Sequence, residues 1–207
     1  MMQSLESRSK LSNSEFRRDA YQLLSECYYL PDAGFANKVN DLDALSEGMY
    51  ASVVKNCLKK ENLDSLIIDY TKLFIGPYGL LAPPYGSIYL EENDRVMGNS
   101  TMDARRSYIE EGLDICLKDA PDHIAIELEF MYFLVFKEIE AAKSDDYDSI
   151  LSYREKQRVF LKNHLGAWAS DFTSKIKASA QTEFYKNLAR ITKNFIDNEK
   201  RNLGALI

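Results

Sequence analysis

Three observations predict that this chain folds into a single all-α domain. Apolar residues recur at intervals of three and four along most of the 207 residues, which is the period of a helix face. Proline and glycine are concentrated in one segment, at 76–98, and no alternating pattern of apolar and polar residues is long enough to build a sheet. With 45% hydrophobic and 28% charged residues, the composition is that of a globular protein. We expect about seven to ten helices packed on one shared core.

The N-terminal part is predicted to contain three helices. The first spans 12–29, because Ser12 and Glu15 have the spacing of a capping box and a proline follows the last predicted turn. The next two, over 43–58 and 64–74, carry apolar side chains at offsets of three and four, as expected of amphipathic helices.

The helical period fails between residues 75 and 99, where seven glycines and prolines occur. The segment nevertheless retains seven large apolar side chains: Tyr78, Leu80, Leu81, Tyr85, Ile88, Tyr89 and Leu90. A flexible linker would not carry so many, so we predict a long, ordered, proline- and glycine-rich loop, and loops of this length in compact domains are usually functional. Only short pieces of it, such as 87–90, could be strands.

The C-terminal part is predicted to be helical almost throughout. The pattern resumes over 101–117, and a further helix opens at Pro121 and reaches about Ala142. This second helix is apolar on nearly all sides, which predicts a position at the centre of the fold. The remaining predicted helices span 147–165, 166–176 and 182–203. The last of them has one apolar face and ends in basic residues, which suits the helix dipole.

Cysteine content and hydropathy indicate the compartment. Cys27, Cys57 and Cys116 are odd in number and match neither a disulfide framework nor a zinc pattern, so we interpret them as small apolar side chains in a reducing compartment. Residues 1–10 contain no apolar run that could serve as a secretory signal. The longest apolar run, at 130–136, is too short to cross a bilayer. We therefore predict a cytoplasmic protein with no integral membrane segment.

Charge is unevenly distributed along the chain. Residues 91–150 hold 16 acidic and 6 basic side chains, a net charge of −10, whereas residues 151–207 hold 5 acidic and 11 basic ones, a net charge of +6. The acidic middle disfavours nucleic acid as a partner there and favours a cationic partner. The alternative is that these charges lie on solvated helix faces that offset each other within the fold.

Most classes of enzyme lack their motif here. The sequence contains no GxxxxGKS phosphate loop, no GxSxG nucleophile elbow, no HExxH and no strand-anchored GxGxxG. His123 and Glu127 lie one helical turn apart and could supply two metal ligands, but two ligands do not complete a site. A metal-assisted or acid/base enzyme that uses His123, Glu127 and Glu129 stays an alternative. We expect no catalytic residues, no metal and no cofactor.

The tripeptide Pro121-Asp122-His123 is typical of a helix start. Proline is favoured in the first turn of a helix, and an acidic side chain is stabilised there by the helix dipole. His123 then lies at the N-terminus of the predicted interior helix. Taken alone, this tripeptide is explained by a structural role at a helix N-terminus at least as well as by a binding role.

Four runs of sequence form a set with a specific order and spacing. They are LFIGPY at 73–78, APPYGSIYL at 82–90, GNST at 98–101, and PDHI at 121–124 with ELEFM at 127–131. Together with His164-Leu165-Gly166, Trp168, Phe184-Tyr185 and Leu188-Ala189, the set resembles the TorD/DmsD family of redox enzyme maturation chaperones. The resemblance covers about residues 64 to 196.

The resemblance implies a TorD-like helical bundle whose N-terminal part (about 1–118) and C-terminal part (about 119–207) meet at a hinge. It implies a cytoplasmic chaperone that binds the twin-arginine leader peptide and the immature form of a molybdenum-containing oxidoreductase, of the dimethyl sulfoxide or trimethylamine N-oxide reductase type. Such a chaperone delays export until the cofactor is inserted and carries no molybdenum cofactor itself. Weak guanine-nucleotide binding is associated with some members, but no phosphate loop here supports it. A monomer or a domain-swapped dimer is expected.

The resemblance also implies the binding residues. Tyr78 and Tyr85 occupy positions where relatives often have tryptophan, and Asp122 and His123 fill the acidic–histidine pair of the leader-binding surface. A leader with two guanidinium groups and an apolar segment needs carboxylates beside an aromatic groove. The predicted peptide-binding residues are Tyr78, Pro83, Pro84, Tyr85, Gly86, Ser87, Asp122, His123 and Glu127, with Glu129 as a further candidate. The alternative from another class is a helical adaptor or regulator that binds a folded partner and ignores leaders.

Overall fold

A computed structural model describes residues 2–35, 37, 62–76, 79–91, 97–113 and 120–204, with side chains from residue 13 onward. The predicted helix over 43–58, the predicted site residue Tyr78, and the cysteines at 57 and 116 therefore lie outside the described residues. Cys27 is described, and its thiol is buried as predicted.

The described residues form eight α-helices and one π-helical turn, so the predicted all-α class is confirmed. The elements are α1 (Met2–Cys27), α2 (Leu63–Tyr70), the π-helix (Thr71–Ile75), α3 (Ser87–Leu90), α4 (Asn99–Glu110), α5 (Ile124–Lys143), α6 (Tyr147–Asn163), α7 (Leu165–Ser179) and α8 (Glu183–Gly204). Within these described ranges the only extended pairing is an isolated antiparallel bridge between Tyr85 and His123. No helix among them is long and apolar enough to cross a membrane.

Two predicted helix starts were wrong, each for a physical reason, and the segment that could have been a strand is helical. Helix α1 begins at Met2, so Ser12 lies inside the helix and is not its N-cap. The residues before Ser12 include good helix formers, which extend the helix toward the N-terminus. Residues 87–90 form a helical turn and not a strand. Helix α5 begins after Pro121, because His123 keeps an extended backbone (φ −67°, ψ 138°) and its Nδ1 accepts a hydrogen bond from the Ala125 N–H as the N-cap.

Helix α5 lies at the centre of the fold, as its apolar sequence predicted. It packs between α1 and α6, while α7 and α8 form the next antiparallel pair. The largest fully buried side chains come from nearly every element: Tyr21, Tyr28, Leu66, Leu73, Tyr108, Ile124, Leu128, Met131, Trp168, Phe172, Phe184 and Tyr185. The predicted apolar face of α8 is also confirmed, since Phe184, Leu188, Ile191 and Phe195 are all buried.

A buried ionic network joins four helices. Arg17 of α1 donates from Nε to Glu199 of α8 at 2.8–2.9 Å and from Nη1 to Glu138 of α5 at 3.2 Å. Arg154 of α6 donates to the other oxygen of Glu138 at 2.9 Å, and Gln157 also binds this carboxylate. Two guanidinium groups thus balance two buried carboxylates, which is the condition under which charge is tolerated in a protein interior.

Candidate functional site

The proline-rich loop runs antiparallel to the residues that precede α5. The Ile124 N–H donates to the Pro84 carbonyl at 2.8 Å, and the Gly86 N–H donates to the Asp122 carbonyl at 2.9 Å. This pairing brings Tyr85 against His123, with ring centroids 5.3 Å apart in an edge-to-face arrangement. Two runs that are far apart in sequence therefore form one structural unit.

The outer edge of this unit is an aromatic cluster formed by Tyr29, Tyr85 and His123. The His123 ring stacks on the Tyr29 ring, with centroids 6.3 Å apart, and it also forms the edge-to-face contact with Tyr85. The Tyr29 hydroxyl donates to Glu129 Oε1 at 2.9 Å, and the Ser25 hydroxyl approaches the same oxygen at 3.3 Å. The cluster therefore has a carboxylate at its border.

Glu129 is the solvent-exposed carboxylate of this region. Partial burial raises the pKa of Glu129 above its usual value, while the hydrogen bonds from Tyr29 and Ser25 act in the opposite direction and the charge of Glu26 raises it further. An exposed carboxylate beside aromatic rings suits a cationic, planar group.

Asp122 and Glu127 lie inside the protein instead. Asp122 is 1% exposed, and its Oδ2 accepts the Ser87 N–H at 2.7 Å. Glu127 is 0% exposed, and its Oε2 accepts the Trp168 Nε1–H at 2.9 Å. Burial raises the pKa of Glu127 well above its usual value, the hydrogen bond from Trp168 opposes this, and the charge of Asp122 adds to it. In this structure neither side chain faces outward.

The remaining predicted site residues form the inner lining of the loop. Pro83, Pro84, Gly86 and Ser87 are buried, and Tyr85 is partly exposed. Gly86 packs directly on Trp168, since a Cβ built on it would lie 3.0 Å from the indole Nε1. These buried residues hold the loop against α7 and expose little surface for a peptide.

Two features were missed by sequence reasoning. Tyr29 was interpreted only as a helix end, although an aromatic pair two residues before a proline was a usable signal. The second feature is a surface cavity of about 550 Å³, lined by Leu90, Asn99, Ser100, Met102, Asp103, Arg106, Asn163 and His164. His164 borders it and places its Nε2 3.2 Å from Asp103.

The metal-ligand alternative finds no support in the part of the chain that is described. There, no group of three or more histidine, cysteine or acidic side chains could hold a metal ion. Glu127 and Glu129 point to different partners, Trp168 and Tyr29, and the Nδ1 of His123 is used as a helix cap.

The chain matches a known protein family over the residues that form the loop and the start of α5. A family model described as the nitrate reductase delta subunit matches residues 32–174, which is more than half of the chain. The chain belongs to this family. The matched range includes the loop, the aromatic cluster except Tyr29, and the start of α5.

Curated relatives of this nitrate reductase delta family member are named as chaperones. The chain is 26% identical over 130 residues to the chaperone protein TorD of Vibrio parahaemolyticus, covering 61% of this chain and 58% of that protein. It is 26% identical over 137 residues to the Tat proofreading chaperone DmsD of Salmonella typhimurium, covering 65% and 60%. These names confirm the resemblance to the TorD/DmsD family. The chain spans less than two thirds of the length of the curated relatives it matches.

Other family relatives extend the comparison. The perchlorate reductase assembly chaperone protein of Dechloromonas aromatica is 30% identical over 97 residues, which cover 47% of this chain and 38% of that protein. A crystal structure from Archaeoglobus fulgidus, described as a candidate redox enzyme maturation protein, superposes with a TM-score of 0.60 at 26% identity. It covers 87% of this chain and 93% of the other. The printed names of these relatives are those of chaperones and maturation proteins.

Proposed function

We propose that this protein is a chaperone for the maturation of a molybdenum-containing oxidoreductase. It binds the immature enzyme through its twin-arginine leader in the cytoplasm and holds back export until the cofactor is inserted. The names of the curated relatives, which include Tat proofreading and reductase assembly chaperones, support the general role. No catalytic step is needed, because the mechanism is binding and timed release.

The observation that carries the leader-binding proposal is the aromatic cluster with Glu129 at its border. A leader presents guanidinium groups followed by an apolar segment. The guanidinium plane can stack on an aromatic ring while its N–H groups bind a carboxylate. Tyr29 and Tyr85 supply the rings, and Glu129 supplies the exposed carboxylate.

Exposed leucines that are close in sequence to this cluster can receive the apolar segment of the leader. Leu30 follows Tyr29 directly and is 52% exposed, and Leu81 of the loop is 49% exposed. Covering these leucines with the apolar segment of a leader removes apolar surface from water, which favours binding. The buried residues Asp122 and Ser87 then act indirectly, by holding the loop in place.

Glu129→Gln tests the site. The substitution keeps the size of the side chain and removes its charge, so the affinity for a synthetic twin-arginine leader peptide, measured by calorimetry, should fall by about three- to tenfold. The loss should shrink at high salt, because exposed charges are screened.

Glu140→Gln is the matched control, since Glu140 is an exposed glutamate on the same helix and pairs with Lys143 away from the cluster. Equal affinities for wild type and Glu129→Gln would remove Glu129 from the site. A protein that bound no leader peptide at all, but bound the folded enzyme, would be the helical adaptor of the alternative hypothesis.

A further inference from the structure

Helix α6 presents a stripe of apolar side chains to the solvent. Tyr147, Leu151 and Val159 are 72%, 65% and 40% exposed. Spacings of four and eight residues place all three on one side of a helix. On the other side Phe160 and Leu161 are buried, where α6 packs against α5 and α7. Single exposed apolar residues are ordinary, but a set aligned along one helix suits contact with a partner.

The two halves of α6 carry opposite charge. Residues 144–153 contain three acidic and no basic side chains, whereas residues 154–163 contain four basic side chains and one acidic. An acidic start and a basic end also suit the dipole of the helix itself. The charge gradient alone therefore does not indicate a partner, and its meaning depends on which charges stay unpaired within the chain.

Two charges of α6 are left over after the internal ion pairs have formed. The charged residues in the middle of the helix are paired within the chain, as Arg154 with Glu138, Lys156 with Glu111 and Arg158 with Glu155. Asp148 and Lys162 are exposed, and neither has an ion-pair partner among the described residues. One unpaired charge of each sign thus lies near each end of the helix.

These two charges and the two aliphatic residues of the stripe are arranged symmetrically. Leu151 and Val159 each lie four residues from Glu155, and Asp148 and Lys162 each lie seven residues from it. At about 100° per residue, all four point within about 80° of one another around the helix axis. Along the helix the order is negative, apolar, apolar, positive, which is complementary to the same order read in reverse.

We propose that the exposed face of α6 binds the same face of a second copy of this chain, with the two helices antiparallel about a two-fold axis near Glu155. Leu151 then contacts the partner's Val159, and Asp148 pairs with the partner's Lys162. Because the contact is isologous, each of these pairs occurs twice. Glu155 meets its counterpart at the axis, where Arg158 of its own chain balances its charge.

The size of this face sets the strength of the dimer. A single helix of 17 residues buries less than the roughly 1,200 Å² at which stable interfaces begin, so the dimer is weak and its dissociation constant lies in the micromolar range. The pairing needs no exchange of helices between copies. It uses no residue of the aromatic cluster and does not depend on the proposed leader binding.

Sedimentation velocity of the full chain, over about 1 µM to about 1 mM, tests the dimer. Leu151→Lys should raise the dissociation constant at least about tenfold, because two apolar contacts are lost and two cations are placed in the interface. Ile109→Lys is the matched control, since Ile109 is 56% exposed on α4, and it should dimerise like wild type. Circular dichroism should show equal helicity in all three proteins.

Two charge reversals test the antiparallel register. Asp148→Lys and Lys162→Asp should each weaken the dimer about tenfold, because each places like charges opposite one another at both ends of the interface. An equimolar mixture of the two variants should dimerise about as well as wild type, since the mixed dimer restores both opposite-charge pairs. Any cost of either substitution to the helix itself is the same in the mixture as in the separate samples.

Three results would overturn the proposal. The first is a wild-type protein that stays monomeric over the whole concentration range. The second is a dimer that persists undiminished in Leu151→Lys, which would place the interface elsewhere. The third is a mixture of Asp148→Lys and Lys162→Asp that dimerises no better than either variant alone. None of these results bears on leader binding, which the peptide titration tests separately.

Discussion

Two glutamates that are two residues apart on α5 have opposite environments. Glu127 is fully buried against Trp168, whereas Glu129 is exposed beside Tyr29. Successive residues of an α-helix are rotated by about 100°, so positions i and i+2 point to nearly opposite sides. The same residue type can therefore serve as a hidden acid at one position and as a surface anion at the other.

The hidden acid should make stability depend on pH. Because the folded-state pKa of Glu127 is raised above the unfolded value, the folded protein binds more protons than the unfolded one between the two pKa values. The free energy of unfolding therefore falls as pH rises from the unfolded pKa and levels off above the folded pKa.

Glu127→Gln mimics the protonated acid and should remove this fall. The measurement is urea unfolding of both proteins from about pH 5 to about pH 8. The variant should be no less stable than wild type near pH 5 and relatively more stable as pH rises. Parallel pH profiles for the two proteins would show that Glu127 does not hold a proton in the fold.

At the scale of elements, the proline-rich loop depends on one close approach. Gly86 has an ordinary helical φ of −59°, so its backbone conformation does not require glycine. What requires it is the indole of Trp168, which leaves 3.0 Å for a Cβ. The loop is seated on α7 because no side chain intervenes.

Gly86→Ala should therefore push the loop away from Trp168. Overpacking of this kind costs about 1–3 kcal/mol, and the fluorescence of Trp168 should shift as its surroundings open. Gly204→Ala is the control, because nothing lies within 4 Å of a Cβ at that position. Unchanged stability and fluorescence in Gly86→Ala would mean that the loop adjusts without leaving the indole.

At the scale of the whole molecule, the Arg17 network joins α1 to α5, α6 and α8. These contacts span more than 120 positions of sequence, so they form only when the full bundle assembles. A buried ion pair contributes little net stability compared with apolar packing, but loss of one partner leaves charge unpaired.

Arg17→Met should thus destabilise the protein by about 3–5 kcal/mol in urea unfolding, since it leaves Glu138 and Glu199 with less compensation. Lys143→Met, at the exposed Lys143–Glu140 pair, should change the free energy of unfolding by less than about 0.5 kcal/mol. A loss in Arg17→Met as small as in this control would show that the network does not hold the bundle together.

The division into two parts near residue 118 and the oligomeric state stay predictions.

Local sequence determined the elements of this protein. The three-to-four spacing of apolar residues predicted the all-α class and the ends of α6, α7 and α8 to within a few residues, because a helix face needs only neighbours in the same segment. The uniformly apolar run after Pro121 predicted the central helix, and the ordered set of short runs predicted the family.

Tertiary structure decided which of the candidate residues meet the solvent. A helix that is apolar all round has no sequence signal for its outer side, so Glu127 was expected at the surface and is buried. Asp122, two residues before this helix, was also expected at the surface and is buried under the loop. Tyr29 reaches Glu129 across 100 positions of sequence, and no local pattern encodes such a contact. Burial depends on what every other element covers, and that is settled only when the whole chain has packed.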